Sequence, residues 1–281
     1  MKNCCAVDIL KSVYRKVLSI CLLIKWQYQT FYLRNNIAHH SVLANELKGK
    51  FLILAPHSDD EWIGCGQLIE DQSLDVVICN MDMPGGDSPS LHVMRREEMG
   101  NVANEYSREI ITLNQNKVES LTELIKNLKP KYICLPFIVD WHSEHREVMG
   151  ILENALVHCN EISSEVIMYQ VSVPIPVACV NYVKTLSRSK WINKWKYFRK
   201  YYPTQTYIPY KRFALNERVN GEINGEYAAE VYSIMPISEW KVCFRNTFQR
   251  QEEIRNLVKM LPDMVEIRKK TEMLCNQMFN K

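Results

Sequence analysis

Blocks of apolar residues with two different periods run along this chain. Residues 51–55, "FLILA", form a continuous apolar run that predicts a buried strand. The next stretch, "WIGCGQLIEDQ", has helical spacing through Ile63, Leu68 and Ile69, and Gly64 and Gly66 allow close backbone packing there. Residues 74–81 predict a second buried strand, followed by the turn-rich loop "DMPGGDSPS". A helical pattern covers about 91–106 and a short strand 109–114. The next helix carries apolar positions at Val118, Leu121, Leu124, Ile125 and Leu128 and is closed by Pro130. Residues 131–137 predict another buried strand, then a polar loop leads into a helix, and 165–175, "EVIMYQVSVPI", predict a further strand. Beyond about residue 181 the pattern weakens, and the last stretch is mostly amphipathic helix.

Strand–helix alternation of this kind predicts an α/β fold, a Rossmann-like, mostly parallel sheet with helices on both faces. A less regular helical portion would follow toward the C-terminus. We divide the chain into an N-terminal helical extension, 1–48, and a single domain, 49–281. The chain has 281 residues, 47% hydrophobic and 24% charged, which suits such a domain. A net charge of +3 is too near neutral to point to nucleic acid as a partner. The ten cysteines are scattered without a C-x-x-C pair, and we read them as reduced, mostly buried thiols of a cytoplasmic protein.

The N-terminal segment holds a short apolar run, "VLSICLLI" (17–24), ended by Lys25. It is shorter than the roughly 20 apolar residues of a spanning helix. Cations at 11, 15, 16, 25 and 34 interleave with Trp26, Tyr28, Phe31 and Tyr32. The leading expectation is an amphipathic helix packed on the domain or on a second subunit. Peripheral contact with the inner face of a membrane is the alternative. Homo-oligomerisation stays open. His39, His40 and His92 fit no partner pattern and are expected at the surface.

Candidate chemistry concentrates at two places. The first is "HSDDE", His57 to Glu61, directly after a predicted strand. The second is Asp140-x-His142-x-Glu144-His145, which also follows a predicted strand. Ligands of such sheets sit beyond the carboxyl ends of the strands, so both clusters reach the same edge. Charged groups beside a core need a partner, and a divalent metal would supply one. Zn²⁺ takes imidazole nitrogens and carboxylate oxygens, commonly three protein ligands with water as the fourth. A carboxylate left outside that set would serve as general base. Each cluster also has a plainer reading, as the acidic first turn of a helix or as surface histidines.

The quoted residues resemble a known family. "APHSDDE" is similar to one signature of the PIG-L/LmbE-like N-acetylglucosaminyl deacetylases, and "PFIVDWHSEHREV" resembles the second. "MRREEM", "YQVSVP", "PTQ" and "NGEYAAEVY" extend the likeness over about residues 49–235. The resemblance implies His57, Asp60 and His145 as zinc ligands and Asp59 as the base. It implies His142 at the oxyanion or the leaving amine, and Asp140 and Glu144 orienting the histidines. Arg95 and Glu98 would line the substrate side, and we add Asp82, from the turn-rich loop, as a further residue shaping the substrate pocket. The implied reaction is zinc-dependent removal of the acetyl group from an N-acetylated amino sugar, free or lipid-linked. Glu144 stands where the family usually has Asp, and "NMDMPGGD" departs from its usual Thr-x-Gly. These departures keep two alternatives open: hydrolysis of another amide on the same scaffold, or a non-catalytic binding subunit.

Overall fold

A computed structural model describes residues 2–37, 46–113, 115–159, 162–205 and 210–279, with side chains from residue 13. His39 and His40 lie outside the described residues. The 51–55 run forms β1 (Lys50–Ala55), and 74–81 forms β2 (Asp75–Asn80). β3 (Glu109–Thr112) and β4 (Tyr132–Pro136) follow as predicted, each slightly shorter than its run, and β5 (Glu165–Tyr169) takes only the first half of the predicted 165–175 strand. All five are parallel. Two further strands, β6 (Tyr182–Leu186) and β7 (Ala228–Pro236), extend the sheet in antiparallel pairing. The seven-stranded order is β3-β2-β1-β4-β5-β7-β6.

Successive strand residues point to opposite faces, so the sheet has two apolar layers. Leu52, Leu54, Val77, Cys79, Ile133 and Leu135 belong to one layer. Phe51, Ile53, Ala55, Val76 and Ile78 belong to the other. Helices cover both: α2 (Asp60–Glu70), α3 (Pro89–Glu105), α4 (Lys117–Leu128), α5 (Ser143–Ala155), α6 (Arg188–Tyr201), α7 (Tyr210–Gly221), α8 (Ile237–Thr247), α9 (Gln251–Asn256) and α10 (Met264–Met278). Gly64 of α2 is required by a close approach, since a Cβ there would lie 2.2 Å from the Tyr169 ring.

The N-terminal extension forms α1 (Lys2–Asn36). Trp26, Gln29 and Thr30 are buried against the body, where Trp26 donates to the Pro262 carbonyl at 3.2 Å. Gln29 accepts from the Met264 amide at 3.0 Å, and Lys25 pairs with Asp263 at 2.9 Å. No helix among the described residues is long and apolar enough to cross a membrane. Cys65, Cys79, Cys134, Cys159 and Cys275 are buried thiols, in no disulfide.

The predicted strand at 165–175 leaves the sheet after Tyr169. Val171, Val173 and Ile175 are still buried, but in a loop pinned by side chains. The Ile175 amide donates to Gln170 at 3.2 Å and the Ser172 amide to Asp140 at 3.3 Å.

Candidate functional site

The strand order reverses direction between β1 and β4, the crevice where open α/β sheets bind ligands. His57 leaves β1 on one side of it, and Asp140, His142 and His145 follow β4 on the other. The topology therefore brings both sequence clusters together.

Asp60 Oδ2 is the hinge of the cluster. It lies 3.2 Å from His57 Nδ1, 3.3 Å from His145 Nε2 and 3.0 Å from the His57 amide, whose N–H it accepts. His142 joins the two other rings at centroid separations of 4.9 and 4.8 Å. The ligating atoms of His57, His142 and His145 all fall within 4.8 Å of one another. Asp140 accepts from the His142 amide at 2.9 Å. Its other oxygen pairs with His145 Nδ1 at 3.0 Å. Glu144 reaches across to His57 Nε2 at 2.6 Å and accepts from the Gly85 amide at 3.1 Å. The methylene that Glu adds over Asp thus takes the carboxylate to the β1 side, leaving His142 Nδ1 4.0 Å away.

The residues present fit a divalent cation. A tetrahedral ion with bonds of about 2.0–2.1 Å has ligand–ligand edges of roughly 3.3 Å, matching the Asp60 distances to both histidines. The charges agree. Burial alone would depress His57, but hydrogen bonds to Asp60 and Glu144 prevail and push it up to about 9. Burial works the same way on His145, and Asp140 and Asp60 raise it well above its ordinary value. Burial opposes ionisation of Asp60, yet His145 and His57 hold it well below the usual carboxylate range. Protons on two imidazoles supply the positive charge that these buried carboxylates demand. His142 differs: burial and then its two histidine neighbours lower it.

Asp59 is buried beside this cluster, and its Oδ2 has no partner among the described residues. Burial, then the charge of Asp60, pushes its carboxyl well above the usual range. Its backbone is at φ 148°, a region that L side chains rarely adopt. Glu61 stabilises that strained turn, its Oε2 accepting the Asp59 amide at 3.0 Å while Tyr202 Oη donates to Oε1. Burial pushes Glu61 up to about 7. Gln205 donates to the Ser58 carbonyl at 3.0 Å. Tyr202 and Glu61 had no signal of function in the sequence beyond the unusual density of charge at 57–61.

Of the remaining predicted residues, Arg95 borders the Gly85 turn. Arg95 pairs with Asp87 at 2.5 Å and keeps a buried Nε without a partner among the described residues. Glu98 is buried, with both oxygens taken by Thr204, at 2.9 Å from its amide and 2.6 Å from its hydroxyl. Asp82 pairs with Arg96 and, at 2.9 Å, with His92, so His92 has a partner that its sequence surroundings did not suggest.

A buried charge network supports α2 from behind. Lys194 Nζ lies 2.5 Å from Glu217, 2.5 Å from Glu230 and 2.9 Å from the Ile63 carbonyl. Glu230 accepts the Gln67 amide with both oxygens at 3.0 Å. These anchor points flank Cys65, where α2 is kinked at φ −130°, ψ 19°. The helix whose first turn carries Asp60 is thus held by side chains from α6, α7 and β7.

No protein-family model matches the chain, and no curated protein matches it. Solved structures do. N,N'-diacetylchitobiose deacetylase from Pyrococcus horikoshii is similar over 66% of this chain and 84% of its own, with a TM-score of 0.54 and 20% identity. A conserved protein from Thermus thermophilus is similar over 65% of this chain and 93% of its own, with a TM-score of 0.51 and 18% identity. The chain therefore has the fold of a PIG-L/LmbE-family deacetylase, the fold that its two signatures implied.

Proposed function

We propose that this protein is a divalent-metal-dependent hydrolase, with zinc as the metal, that removes the acetyl group from an N-acetylated amino sugar. The observation that carries the proposal is Asp60 Oδ2, set at 3.2 and 3.3 Å from nitrogens of two histidines beside an unpartnered Asp59. The donor set is two nitrogens and one oxygen, from His57, His145 and Asp60. An ion held there would polarise the acetamido carbonyl and acidify a water molecule.

The chain's own groups do the rest. Asp59 takes the proton of the attacking water through its free oxygen; its ionised form would be favoured by a divalent ion held by Asp60 and the histidines, against the burial that now pushes its carboxyl up. Glu61 and Tyr202 hold Asp59 in its strained turn. The leaving amine needs the proton that Asp59 takes from the water, and His142, whose buried Nδ1 has no hydrogen-bond partner among the described residues, either passes that proton on or hydrogen-bonds the oxyanion. Asp140 positions His145 and the His142 backbone, and Glu144 positions His57 and the Gly85 turn. Arg95 and Asp82 border the substrate side, while Glu98 shapes it by holding Thr204.

The test is amine release from N-acetylglucosamine derivatives by metal-loaded protein. Turnover that disappears on chelation and returns with zinc supports the reading. Stoichiometric metal without turnover on any acetamido sugar contradicts it.

A further inference from the structure

The α1 helix has two apolar faces and packs only one of them. Leu22, Trp26 and Leu33 face the body with Val219 and Met264. Half a turn away, Val13, Val17, Ile20, Ile24, Tyr28 and Phe31 recur at the three- and four-residue spacing of a single stripe. These six are between 53% and 71% exposed. The stripe runs roughly 27 Å along the helix, from 18 residues at 1.5 Å each. An apolar surface of that length, aligned and uncovered, marks an interaction site.

Charge decides what covers it. Between Asp8 and Glu46 the sequence has five cations, Lys11, Arg15, Lys16, Lys25 and Arg34, and no acidic residue. Lys25 and Arg34 are engaged by Asp263 and Glu222. Lys16 is exposed beside the stripe, with no ion pair among the described residues, and Arg15 is exposed at the same end of the helix on its opposite side. A second copy docked stripe to stripe would bring Lys16 no carboxylate from its own helix, because the segment between Asp8 and Glu46 has none. A lipid surface with anionic headgroups accepts both features, the acyl boundary taking the apolar side chains and the headgroups the cations. Tyr28, Phe31 and the neighbouring exposed Tyr32 suit the level where water meets hydrocarbon.

We propose that the outward stripe of α1 docks this protein on an anionic membrane surface, the helix lying in the headgroup plane between the bilayer and the body of the protein. The proposal does not depend on the hydrolase reading.

The test is cosedimentation of the full chain with phosphatidylcholine vesicles, with and without phosphatidylglycerol, at low and high salt. We expect binding to the anionic vesicles, at least about tenfold weaker binding without phosphatidylglycerol, and loss of that preference at high salt. Ile20→Asp and Ile24→Asp each weaken binding by about tenfold or more, since each removes a buried aliphatic contact. The milder Ile24→Ser weakens it in the same direction, and an unchanged melting temperature shows that the body is intact. Lys16→Glu, which reverses the charge flanking the stripe, weakens the preference for anionic vesicles. Absence of binding, or equal binding to both vesicle types, overturns the proposal. So does a concentration-dependent dimer broken by Ile20→Asp, which assigns the stripe to a second copy.

Discussion

Replacing Lys194 by Met removes the cation at the centre of the network behind α2 while keeping an unbranched side chain of similar volume. Lys194 is fully buried, so solvent cannot compensate for the loss. Glu217 and Glu230 would be left without the ammonium that now lies 2.5 Å from each, and the Ile63 carbonyl without its donor. Removing one partner of a buried ion pair costs about 3–5 kcal/mol. For a domain of this size that lowers Tm by on the order of 10 °C. The effect depends on pH with a definite sign. Burial pushes Glu217 up from 4.5 to about 7, against the pull of Lys194. The folded chain therefore keeps a proton that the unfolded chain has released. This contribution to stability is complete below about pH 4.5 and is lost as pH rises through about 7. The other groups facing Glu217 and Glu230 include Trp195, Tyr232, Cys65, Glu70 and the Gln67 amide, and none of them replaces the cation. Without Lys194 the Glu217 carboxyl rises further, so the deficit relative to the parent grows from pH 5 to pH 8. Urea and thermal unfolding at both pH values, followed by tryptophan fluorescence, measure it. Zinc titration checks that affinity falls too, because α2 carries Asp60. A Tm within about 2 °C of the parent at both pH values, or a larger deficit at pH 5, would refute the reasoning.

The remaining predictions concern the site and its supports. Gly64→Ala sets a Cβ 2.2 Å from the ring of Tyr169, itself tied to the Leu54 carbonyl at 2.8 Å, and should cost about 3 kcal/mol in denaturant unfolding. Tyr202→Phe takes the hydroxyl from buried Glu61, should cost about 1–3 kcal/mol, and should lower kcat more than it raises KM, because the Asp59 turn loosens. Chelator should lower the Tm of zinc-loaded protein, by the equivalent of about 2.7 kcal/mol where free zinc had stood at 100 times its Kd, and a scan with and without chelator reads this directly.

The parallel half of the sheet was legible because β1, β2 and β4 are buried on both faces and read as unbroken apolar runs. Both charged clusters were legible for the complementary reason, as dense ionisable groups directly after such runs. The antiparallel end was not. β7 carries Glu230 and Ser233 in its buried stretch, and the partner that makes Glu230 tolerable, Lys194, is 36 residues away. Lys194 itself lies in "KWINKWKY", which reads as a solvated basic face. The 165–175 run was overextended because Val171, Val173 and Ile175 are buried as a loop, and period alone does not separate a buried loop from a strand. The α1 segment resisted a simple amphipathic reading because its two apolar faces lie opposite each other. Glu144 showed its charge in the sequence, but its reach to His57 needed the fold.

The central claim is tested most directly by measuring, in one preparation each, the zinc content and amine release of the parent, Asp59→Ala and Asp60→Ala. The account predicts about one zinc per chain and turnover for the parent. It predicts retained zinc with kcat down by about 10²–10⁴ for Asp59→Ala, and lost zinc for Asp60→Ala. Near-parental kcat in Asp59→Ala, or full zinc occupancy in Asp60→Ala, would contradict it.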